Sequence, residues 1–398
     1  SYGYSFNIYK FYYKRILMKK KIYTSLGIMT GTSMDGVDIS LIKSDGDEEY
    51  AHILDDYFEF DNDLHKKLVN LRKKLSIYDD LKTNINELNE IEREFTLFIG
   101  KIVNQVIANY PKEINFLGFH GQTIFHDSGE RVSKQLGDGK LLSQITKKIV
   151  ISNFRNKDLS HGGQGAPLTP IFHNLLSKII NKKYNLGSPI NIINIGGITN
   201  ITQILNSNDS QNKNLYAFDI GPGNCLIDEW IRRNSKKKFD KNGEISKSGR
   251  VNDLVLNQAL DNFDKNKFDK SLDIKDFDIS FAKGLTLEDG CATLTNFSAI
   301  LIANGINHLN NLNNSLPNKN LICGGGRKNL SLIKYINDNL DQKNNIKMID
   351  DFDLDGDFIE SQAFGYLAIR SYLSLPISFP NTTGCKSPIT GGVVVKNF

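Results

Sequence analysis

Two segments of this chain share one design, in which a polar, glycine-containing turn joins two apolar runs rich in β-branched residues. The first segment is residues 26–42, and the second is residues 190–205, with its turn at Gly196 and Gly197. Apolar runs on both sides of a glycine turn predict a β-hairpin. Because the design occurs twice, the sequence predicts a duplicated domain whose halves face each other across a cleft.

The turn of the first hairpin has the composition of a phosphate-binding loop. Gly31 and Gly36 allow the backbone to approach a ligand closely, and the hydroxyls of Thr32 and Ser33 can donate to phosphate oxygens. The turn lacks the lysine of a Walker loop, and no helix follows its glycines as in a dinucleotide-binding fingerprint. Taken by itself, the segment leaves a solvated glycine-rich turn as the alternative.

Length and composition narrow the class of protein. A chain of 398 residues exceeds what one core usually supports, so we expect two domains. The formal net charge of +4 is spread over interleaved acids and bases, so we expect no nucleic-acid partner. No run reaches the roughly 20 apolar residues of a membrane span. The four cysteines stand far apart without a C-x-x-C pair, which favours a reduced, cytoplasmic compartment.

Residues 1–17 differ from the rest of the chain in being aromatic and basic, and Met18 follows them. They lack the apolar core and the cleavage site of a targeting peptide. We therefore predict that residues 1–17 are a non-native or disordered N-terminal extension and that Met18 is the natural start.

Two predicted strands of the first half, residues 114–119 and 149–151, are followed by polar residues. A helical pattern over residues 61–110 precedes them, with apolar residues three and four apart. In open α/β sheets, ligands bind beyond the carboxyl ends of strands. The candidate ligand-binding residues at these ends are His120, Gln122, Thr123 and Arg155.

A carboxylate stands out in the second half. Asp219 ends a predicted strand and faces a predicted helix across a Gly-Pro-Gly turn, residues 221–223. For a lone aspartate, a helix cap or a turn is the usual role. The glycines on both sides of Pro222 favour a catalytic role instead, because they clear space for a substrate beside the carboxylate.

Two further loops have the composition of ligand sites. Residues 160–170 form a glycine-rich loop that contains Gln164, and Arg155 just before it can bind a carboxylate with two parallel hydrogen bonds. Residues 321–329 end a strand in Gly324, Gly325 and Gly326, where adenine could lie on the backbone. The histidines show no compact spacing, so no fixed protein metal site is predicted.

Six segments together resemble the anhydro-N-acetylmuramic acid kinase family, in family order and over nearly the whole chain from Met18. They are Gly31–Asp38, His120–Thr123, Gly162–Pro167, Asn194–Gly197, Phe218–Asn224 and Cys323–Gly326. The resemblance implies an α/β fold of duplicated actin-like ATPase domains, ribonuclease H-like, that face each other across a nucleotide cleft. It implies domain I at residues 18–152 plus about 376–398, and domain II at residues 153–375.

The activity implied by this resemblance is unusual for a kinase. Water opens the 1,6-anhydro bridge of the sugar, and the released O6 takes the γ-phosphoryl group of ATP, giving N-acetylmuramic acid 6-phosphate in cell-wall recycling. ATP and Mg²⁺ are the implied cofactors, and a homodimer is the implied assembly. A conventional sugar or hydroxy-acid kinase, and a non-catalytic ATP-gated sugar-binding module, are the alternatives.

The resemblance also implies site residues. The base that activates water falls on Asp219, and the sugar contacts fall on His120, Gln122, Thr123, Arg155, Gln164 and Glu360. Mg²⁺ would enter with ATP, within direct or water-mediated reach of Asp35, Asp38 or Asp219. The implied ATP contacts are Gly31, Thr32, Ser33, Met34, Asp35, Gly36, Val37, Asp38, Gly196, Gly197, Asn200, Gly221, Gly223, Asn224, Gly324, Gly325, Gly326 and Asn329.

Two segments depart from the family pattern. Residues 326–329 are Gly-Arg-Lys-Asn where Gly-Ala-x-Asn is usual, and residues 381–385 are Asn-Thr-Thr-Gly-Cys where Val-Thr-Gly-Ala is expected. Neither segment contains the proposed base or the first phosphate loop. The departures therefore concern nucleotide affinity more than reaction type.

Overall fold

The computed structural model describes residues 20–206, 212, 214–263, 271–312, 319–341 and 345–398. The predicted N-terminal extension and Met18 lie outside these residues. Within the described part, no helix combines the length and the apolar character needed to cross a membrane.

A seven-stranded sheet forms the centre of the first half. Its strand order is β12-β6-β4-β1-β2-β3, and β5 pairs with an extension of β4. The strands are β1 (Tyr23–Met29), β2 (Gly36–Ser44), β3 (Tyr50–Glu59), β4 (Phe116–Asp127), β5 (Val132–Leu136), β6 (Ile149–Ser152) and β12 (Val393–Val395).

A five-stranded sheet forms the centre of the second half, in the order β11-β10-β7-β8-β9. Its strands are β7 (Ile190–Ile195), β8 (Ile198–Ile204), β9 (Leu215–Pro222), β10 (Lys319–Cys323) and β11 (Asn345–Met348).

The helices of the described residues cover both sheets. They are α1 (Asn62–Lys74), α2 (Tyr78–Thr83), α3 (Ile85–Asn109), α4 (Gly139–Thr146), α5 (Asn156–Ser160), α6 (Pro170–Tyr184), α7 (Cys225–Asn234), α8 (Glu244–Ser248), α9 (Asp253–Asp261), α10 (Leu287–Leu312), α11 (Leu330–Asn339), α12 (Ile359–Tyr372) and α13 (Pro380–Thr383). The predicted apolar face of residues 61–110 is present in α3, where Leu88, Ile91, Phe95 and Ile102 are buried.

The two sheets repeat one topology. In the first, β1, β2 and β3 are antiparallel, while β4 and then β6 add parallel to β1. In the second, β7, β8 and β9 are antiparallel, while β10 and then β11 add parallel to β7. This shared order confirms the predicted α/β fold of duplicated, ribonuclease H-like halves, and both predicted hairpins are present.

Helix α12 packs on the first sheet unusually closely. A Cβ added to Gly27 of β1 would lie 1.8 Å from the Ser361 carbonyl oxygen, and one added to Gly118 of β4 would lie 2.3 Å from the Phe364 carbonyl oxygen. Only glycine permits this approach. Although residues 359–372 fall within the predicted domain II, they therefore lie against the first sheet. The domain boundaries themselves stay a prediction.

Two strands are longer than predicted. β4 continues past residue 119 through the polar residues to Asp127, because β5 pairs with its second part. β9 continues past Asp219 to Pro222, because β8 pairs with it as far as Ile198. His120 and Asp219 therefore lie inside strands and not at strand ends. The neighbouring strands β5 and β8 supply the pairing, which the composition of the polar residues themselves does not reveal.

Candidate active site

The first glycine turn, Thr30–Asp35, connects β1 to β2 and faces open space. The Met34 N–H donates to the Gly31 carbonyl at 3.2 Å, and Met34 has a φ of +58°. Thr32 and Ser33 are exposed, and a Cβ on Gly31 would meet no atom within 4 Å. The turn therefore leaves room for a ligand at Gly31, as a phosphate loop requires.

The far end of the same turn is closed by protein. A Cβ on Gly36 would lie 2.4 Å from the Phe58 carbonyl oxygen and 2.6 Å from the Tyr57 hydroxyl. Val37, which follows, is buried in the core of the first half. The close approach at Gly36 is thus to β3, and its predicted ATP contact stays a prediction.

The second glycine turn, Gly196–Gly197, is tied to the turn after β9. The Gly223 N–H donates to the Gly197 carbonyl at 2.8 Å, and the Asn224 N–H donates to the Gly196 carbonyl at 2.8 Å. A Cβ on Gly223 would lie 2.2 Å from the Gly196 oxygen. Gly223 and Asn224 therefore hold the second turn in place. Gly221 packs against Leu301.

The two glycine turns meet. A Cβ on Gly197 would lie 2.0 Å from the Thr32 Oγ1. The turns come from opposite halves of the chain, so this contact brings together the two turns that the duplicated hairpins predict to face each other.

Asp219 lies in β9 opposite Asn200 of β8 and is 7% exposed. Its Oδ2 accepts a hydrogen bond from the Leu272 N–H at 2.7 Å. Its carboxylate does not cap α7, whose N-cap residue is Asn224. Burial raises the pKa of Asp219 to about 6, although the Leu272 N–H and the charge of Arg155 oppose the rise. A carboxyl with this pKa is suited to take a proton near neutral pH.

The partly buried Arg155 is hydrogen-bonded to the buried His120. The Arg155 Nε and Nη2 lie 3.1 and 2.9 Å from the His120 Nε2, and the Arg155 Nη1 donates to the Gly165 carbonyl at 2.8 Å. Burial and the Arg155 charge hold the pKa of His120 well below its ordinary value. The neutral ring accepts from Arg155 at Nε2, so its Nδ1–H donates to the Gly121 carbonyl at 2.7 Å.

Glu360, at the start of α12, belongs to the same cluster. Burial raises its pKa, while Arg155 and a hydrogen bond from Asn194 oppose the rise. Asp38 of β2 stands close enough to Glu360 that burial and the Glu360 charge, with Asp357 and Asp55, raise the pKa of Asp38 to about 7. The structure thus brings Asp219, Arg155, His120, Glu360 and Asp38 together, although they come from five separate segments.

The remaining predicted sugar residues lie along β4 and the loop before α6. The Gln122 Nε2 donates to the Gly31 carbonyl at 3.0 Å, which joins β4 to the first glycine turn. The Thr123 Oγ1 accepts from the Gln135 Nε2 at 3.2 Å. The Gln164 Oε1 accepts from the Ser271 N–H at 3.4 Å. Within the described residues, the buried Gln122 Oε1 and Asn200 Oδ1 have no hydrogen-bond partner.

The third glycine segment ends β10 beside the second turn. Gly324 has a φ of +84°, and a Cβ there would lie 2.5 Å from the Asn194 Oδ1. A Cβ on Gly325 would meet no atom within 4 Å, whereas Gly326 packs against Ile195. Asn329 caps α11, because its Oδ1 accepts from the Leu332 N–H at 2.9 Å. Gly325 is therefore the open position of this segment.

Arg327, a departure from the family pattern, is 8% exposed and held among acidic residues. Its Nε and Nη2 donate to Asp350 at 2.7 and 2.8 Å, and its Nη1 donates to Asp357 at 2.6 Å. The same Nη1 lies 3.2 Å from the Gly324 carbonyl oxygen. Arg327 thus ties the glycine segment to the loop that leads into Glu360.

Asp228 of α7 is a further carboxyl near the first glycine turn, and the sequence analysis does not single it out. Burial and the charge of Asp35, with that of Asp240, raise its pKa to about 7, while Arg232 opposes the rise. Asp35 belongs to the first glycine turn, so one carboxylate from each half stands near the place where the turns meet. The sequence signal that could have pointed to Asp228 is its position in the first turn of α7, just after the Gly-Pro-Gly-Asn segment.

Two ribonuclease H-like halves whose glycine turns meet beside a buried carboxylate are the architecture of the actin-like ATPase class. The chain belongs to the anhydro-N-acetylmuramic acid kinase family, whose model matches residues 23–397. It is therefore a phosphotransferase.

Curated relatives match at nearly full length. The anhydro-N-acetylmuramic acid kinase of Pelagibacter ubique (strain HTCC1062) is 53% identical over 95% of this chain and 100% of the relative. That of Brucella canis is 37% identical over 94% and 98%. A solved hexokinase from Schistosoma mansoni complexed with glucose is 9% identical over 87% of this chain and 85% of that chain, with a TM-score of 0.41. The strand order of the two sheets, and not this weak likeness, supports the fold.

Proposed function

We propose that this kinase opens the 1,6-anhydro bridge of anhydro-N-acetylmuramic acid with water and phosphorylates O6 with ATP, giving N-acetylmuramic acid 6-phosphate for cell-wall recycling. One observation carries the proposal beyond family membership: the buried Asp219 carboxylate, with a pKa raised to about 6, lies in a cluster with Arg155 beside the two glycine turns. Such a group can accept a proton from water at the sugar end while the turns hold the phosphates.

The reaction balances with one base and one water. The water oxygen bonds to the anomeric carbon, the bond from that carbon to O6 breaks, and the water proton passes to Asp219. O6 then bonds to the γ-phosphorus of ATP, and the bond from that phosphorus to the bridging oxygen breaks, releasing ADP. A positioned base typically contributes about 10²–10⁴-fold to such a step.

Arg155 is suited to bind the lactyl carboxylate of the sugar. A guanidinium carries five N–H donors, and its bonds to His120 and Gly165 leave hydrogens on both Nη1 and Nη2 for a ligand. We assign the other sugar contacts to His120, Gln122, Thr123, Gln164 and Glu360. The unpartnered Gln122 Oε1 supports this assignment for Gln122.

ATP is assigned to the surface where the glycine segments converge. The open space at Gly31 and Gly325 supports a phosphate contact at the first and an adenine contact at the second. The exposed hydroxyls of Thr32 and Ser33 are suited to donate to phosphate oxygens.

Mg²⁺ is assigned to Asp35 and Asp228. The two carboxylates stand close enough to raise the pKa of Asp228, which fits a hard cation that prefers oxygen ligands. Asp219 is less suited, because it interacts with the cationic Arg155. When bound, Mg²⁺ neutralises charge on the phosphates.

A cytoplasmic location and a homodimer complete the proposal. The four cysteines are free, which supports a reducing compartment. The family resemblance is the basis of the dimer, and sedimentation of the purified protein at several concentrations tests it.

The decisive experiment combines product mass with isotope position. The purified protein is incubated with ATP, Mg²⁺ and anhydro-N-acetylmuramic acid in ¹⁸O-water, and the product is analysed before anomeric exchange. We expect a sugar phosphate that carries the label on its C1 hydroxyl and none on phosphate. A sugar phosphate without solvent oxygen would indicate a conventional kinase, and label in free phosphate would indicate ATP hydrolysis.

A further inference from the structure

Residues 271–276, which we call the strap, contact both halves of the molecule next to Asp219. The strap comprises Ser271, Leu272 and the capped 3₁₀ turn Ile274–Asp276 that Asp273 begins. It belongs by sequence to the second half, yet it contacts both halves. None of its residues was singled out in the sequence analysis.

On the first half, the strap has three attachments. The Ser271 Oγ lies 2.8 Å from the His126 Nε2 of β4. The Asp273 Oδ1 accepts from the Arg72 Nη2 of α1 at 3.5 Å. The Lys275 Nζ lies 3.6 Å from the Asp127 Oδ2. The attachments are spaced along the strap, so they fix its direction as well as its position.

On the second half, the strap reaches Asp219. The Leu272 N–H donates to the Asp219 Oδ2 at 2.7 Å, and the Ser271 Oγ lies 3.2 Å from the Gln164 carbonyl oxygen. Ser271 immediately precedes Leu272, so the bond of Ser271 to His126 and the bond of Leu272 to Asp219 are one residue apart. A shift of Ser271 away from β4 would move the amide that orients the carboxylate.

The attachment at His126 is buried and electrically neutral. His126 is 8% exposed, and burial, with the charge of Arg155, lowers its pKa to about 4. Its Nδ1 lies 3.1 Å from the Ser133 Oγ of β5, so both ring nitrogens contact hydroxyls. The ring therefore holds Ser271 through a hydrogen bond that does not depend on pH near neutrality.

The attachment at Arg72 leads to the phosphate end of the site. The Arg72 Nη1 also lies 3.4 Å from the Thr32 carbonyl oxygen in the first glycine turn. The side chains of Arg72 and Asp273 are 13% and 12% exposed. One arginine thus contacts the turn assigned to ATP and the segment that holds Asp219.

We infer that the strap makes the orientation of Asp219 depend on the packing of the two halves against each other. His126 and Ser271 are then positioning residues for the reaction. The Leu272 amide reaches Asp219 while Ser271 is held by His126 on the first half. Separation of the halves removes that support, so Asp219 is oriented for water activation only when the cleft is assembled. This inference rests on the proposed role of Asp219 as the base.

A double-mutant cycle on the full chain tests the inference with Ser271→Ala, His126→Leu and the double variant. Each single variant is expected to lower kcat about tenfold, with the KM for ATP and for the anhydrosugar within about twofold of wild type. Both changes remove the His126–Ser271 bond, and each also removes one further bond, to Gln164 or to Ser133, so the two losses should combine to less than their product in the double variant. Ser280→Ala is the matched control, because that exposed serine bonds only within its own turn, to Asp278.

The outcomes separate this inference from the proposed function. Wild-type kcat in both single variants, losses confined to KM or melting temperature, or losses that multiply in the double variant would each overturn the strap's role. Ser271→Ala removes a single oxygen, so it keeps the test valid if His126→Leu folds poorly. Asp219→Asn tests the base independently: its inactivity together with normal strap variants refutes the strap alone, whereas its normal activity refutes the base.

Discussion

The Thr32 hydroxyl of the first glycine turn lies against the backbone of Gly197 in the second, where a Cβ would stand 2.0 Å from its oxygen. This contact joins two turns that are distant in the sequence. It means that a single methyl group at Gly197 has to displace the Thr32 side chain, which alters the contact between the two turns.

Gly197→Ala is therefore expected to lower kcat/KM for ATP about tenfold, which corresponds to roughly 1.4 kcal/mol of lost transition-state binding. Thr32 is exposed, so its displacement should leave the melting temperature nearly unchanged. Steady-state kinetics at saturating sugar and a thermal melt measure the two effects. Gly129→Ala, in the exposed β4–β5 turn, is the control, and equal kinetics in the two variants would contradict the prediction.

Gly31 and Gly36 should respond to alanine in opposite ways. Gly31→Ala places a methyl group in open space and should weaken ATP binding without lowering stability. Gly36→Ala drives a methyl group into the Phe58 carbonyl oxygen and the Tyr57 hydroxyl, and should cost about 1–3 kcal/mol of stability. Denaturant unfolding and nucleotide titration distinguish them. A loss of stability in Gly31→Ala together with normal ATP affinity would show that Gly31 does not contact the nucleotide.

The kcat of the enzyme should fall as the pH drops through about 6, because the pKa of Asp219 is raised to about 6 and a base acts only when deprotonated. Asp219→Asn should bind both substrates and lose about 10²–10⁴-fold in kcat, because an amide cannot take the proton from water. Rate profiles between pH 5 and 8 and substrate titrations measure this. Near-normal turnover of the Asn variant would show that Asp219 has a structural role.

Asp219→Asn should also stabilise the ligand-free protein. The folded pKa of about 6 lies above the ordinary value of 3.8, so the ionised carboxylate disfavours the fold. The resulting loss in the free energy of unfolding develops as the pH rises from about 4 to about 6, and it is complete above pH 6. The Asn variant should therefore gain about 3 kcal/mol at pH 7.5 and much less at pH 4. A gain that is equal at both values would show that charge burial is not its cause.

Arg327→Ala should raise the KM for ATP about fivefold or more and lower stability by about 2 kcal/mol. The loss of the Arg327 side chain leaves Asp350 and Asp357 without their buried cation and removes its bond to the Gly324 carbonyl. Arg327→Lys should restore little, because an ammonium cannot reproduce the planar fork. Lys334→Ala, which removes an exposed cation paired with Asp338, is the control. A normal KM for ATP in Arg327→Ala would show that the ion pairs of Arg327 with Asp350 and Asp357 do not affect the nucleotide site.

Local pattern predicted the repeated hairpins and the amphipathic helix α3 because their periodicity is contained in contiguous residues. Local pattern also predicted that a ligand approaches the backbone at Gly31 and Gly325, and the structure leaves open space at both positions. The predicted ends of β4 and β9 were wrong, because strand length depends on pairing with a partner strand and not only on the composition of the strand itself. Arg327 was noticed as a departure, but its acidic partners lie 23 and 30 residues further on.

The sequence alone determined the class of fold, the family and the identity of the candidate base, because these depend on short motifs and on their order. Tertiary structure decided which groups act on one another. The bond of the Leu272 amide to Asp219 and the Arg155–His120 bonds each join segments far apart in the chain, and so does the electrostatic interaction of Asp35 with Asp228. Their pKa values and orientations follow from burial and from the distances between charges, and both arise only when the two halves pack together.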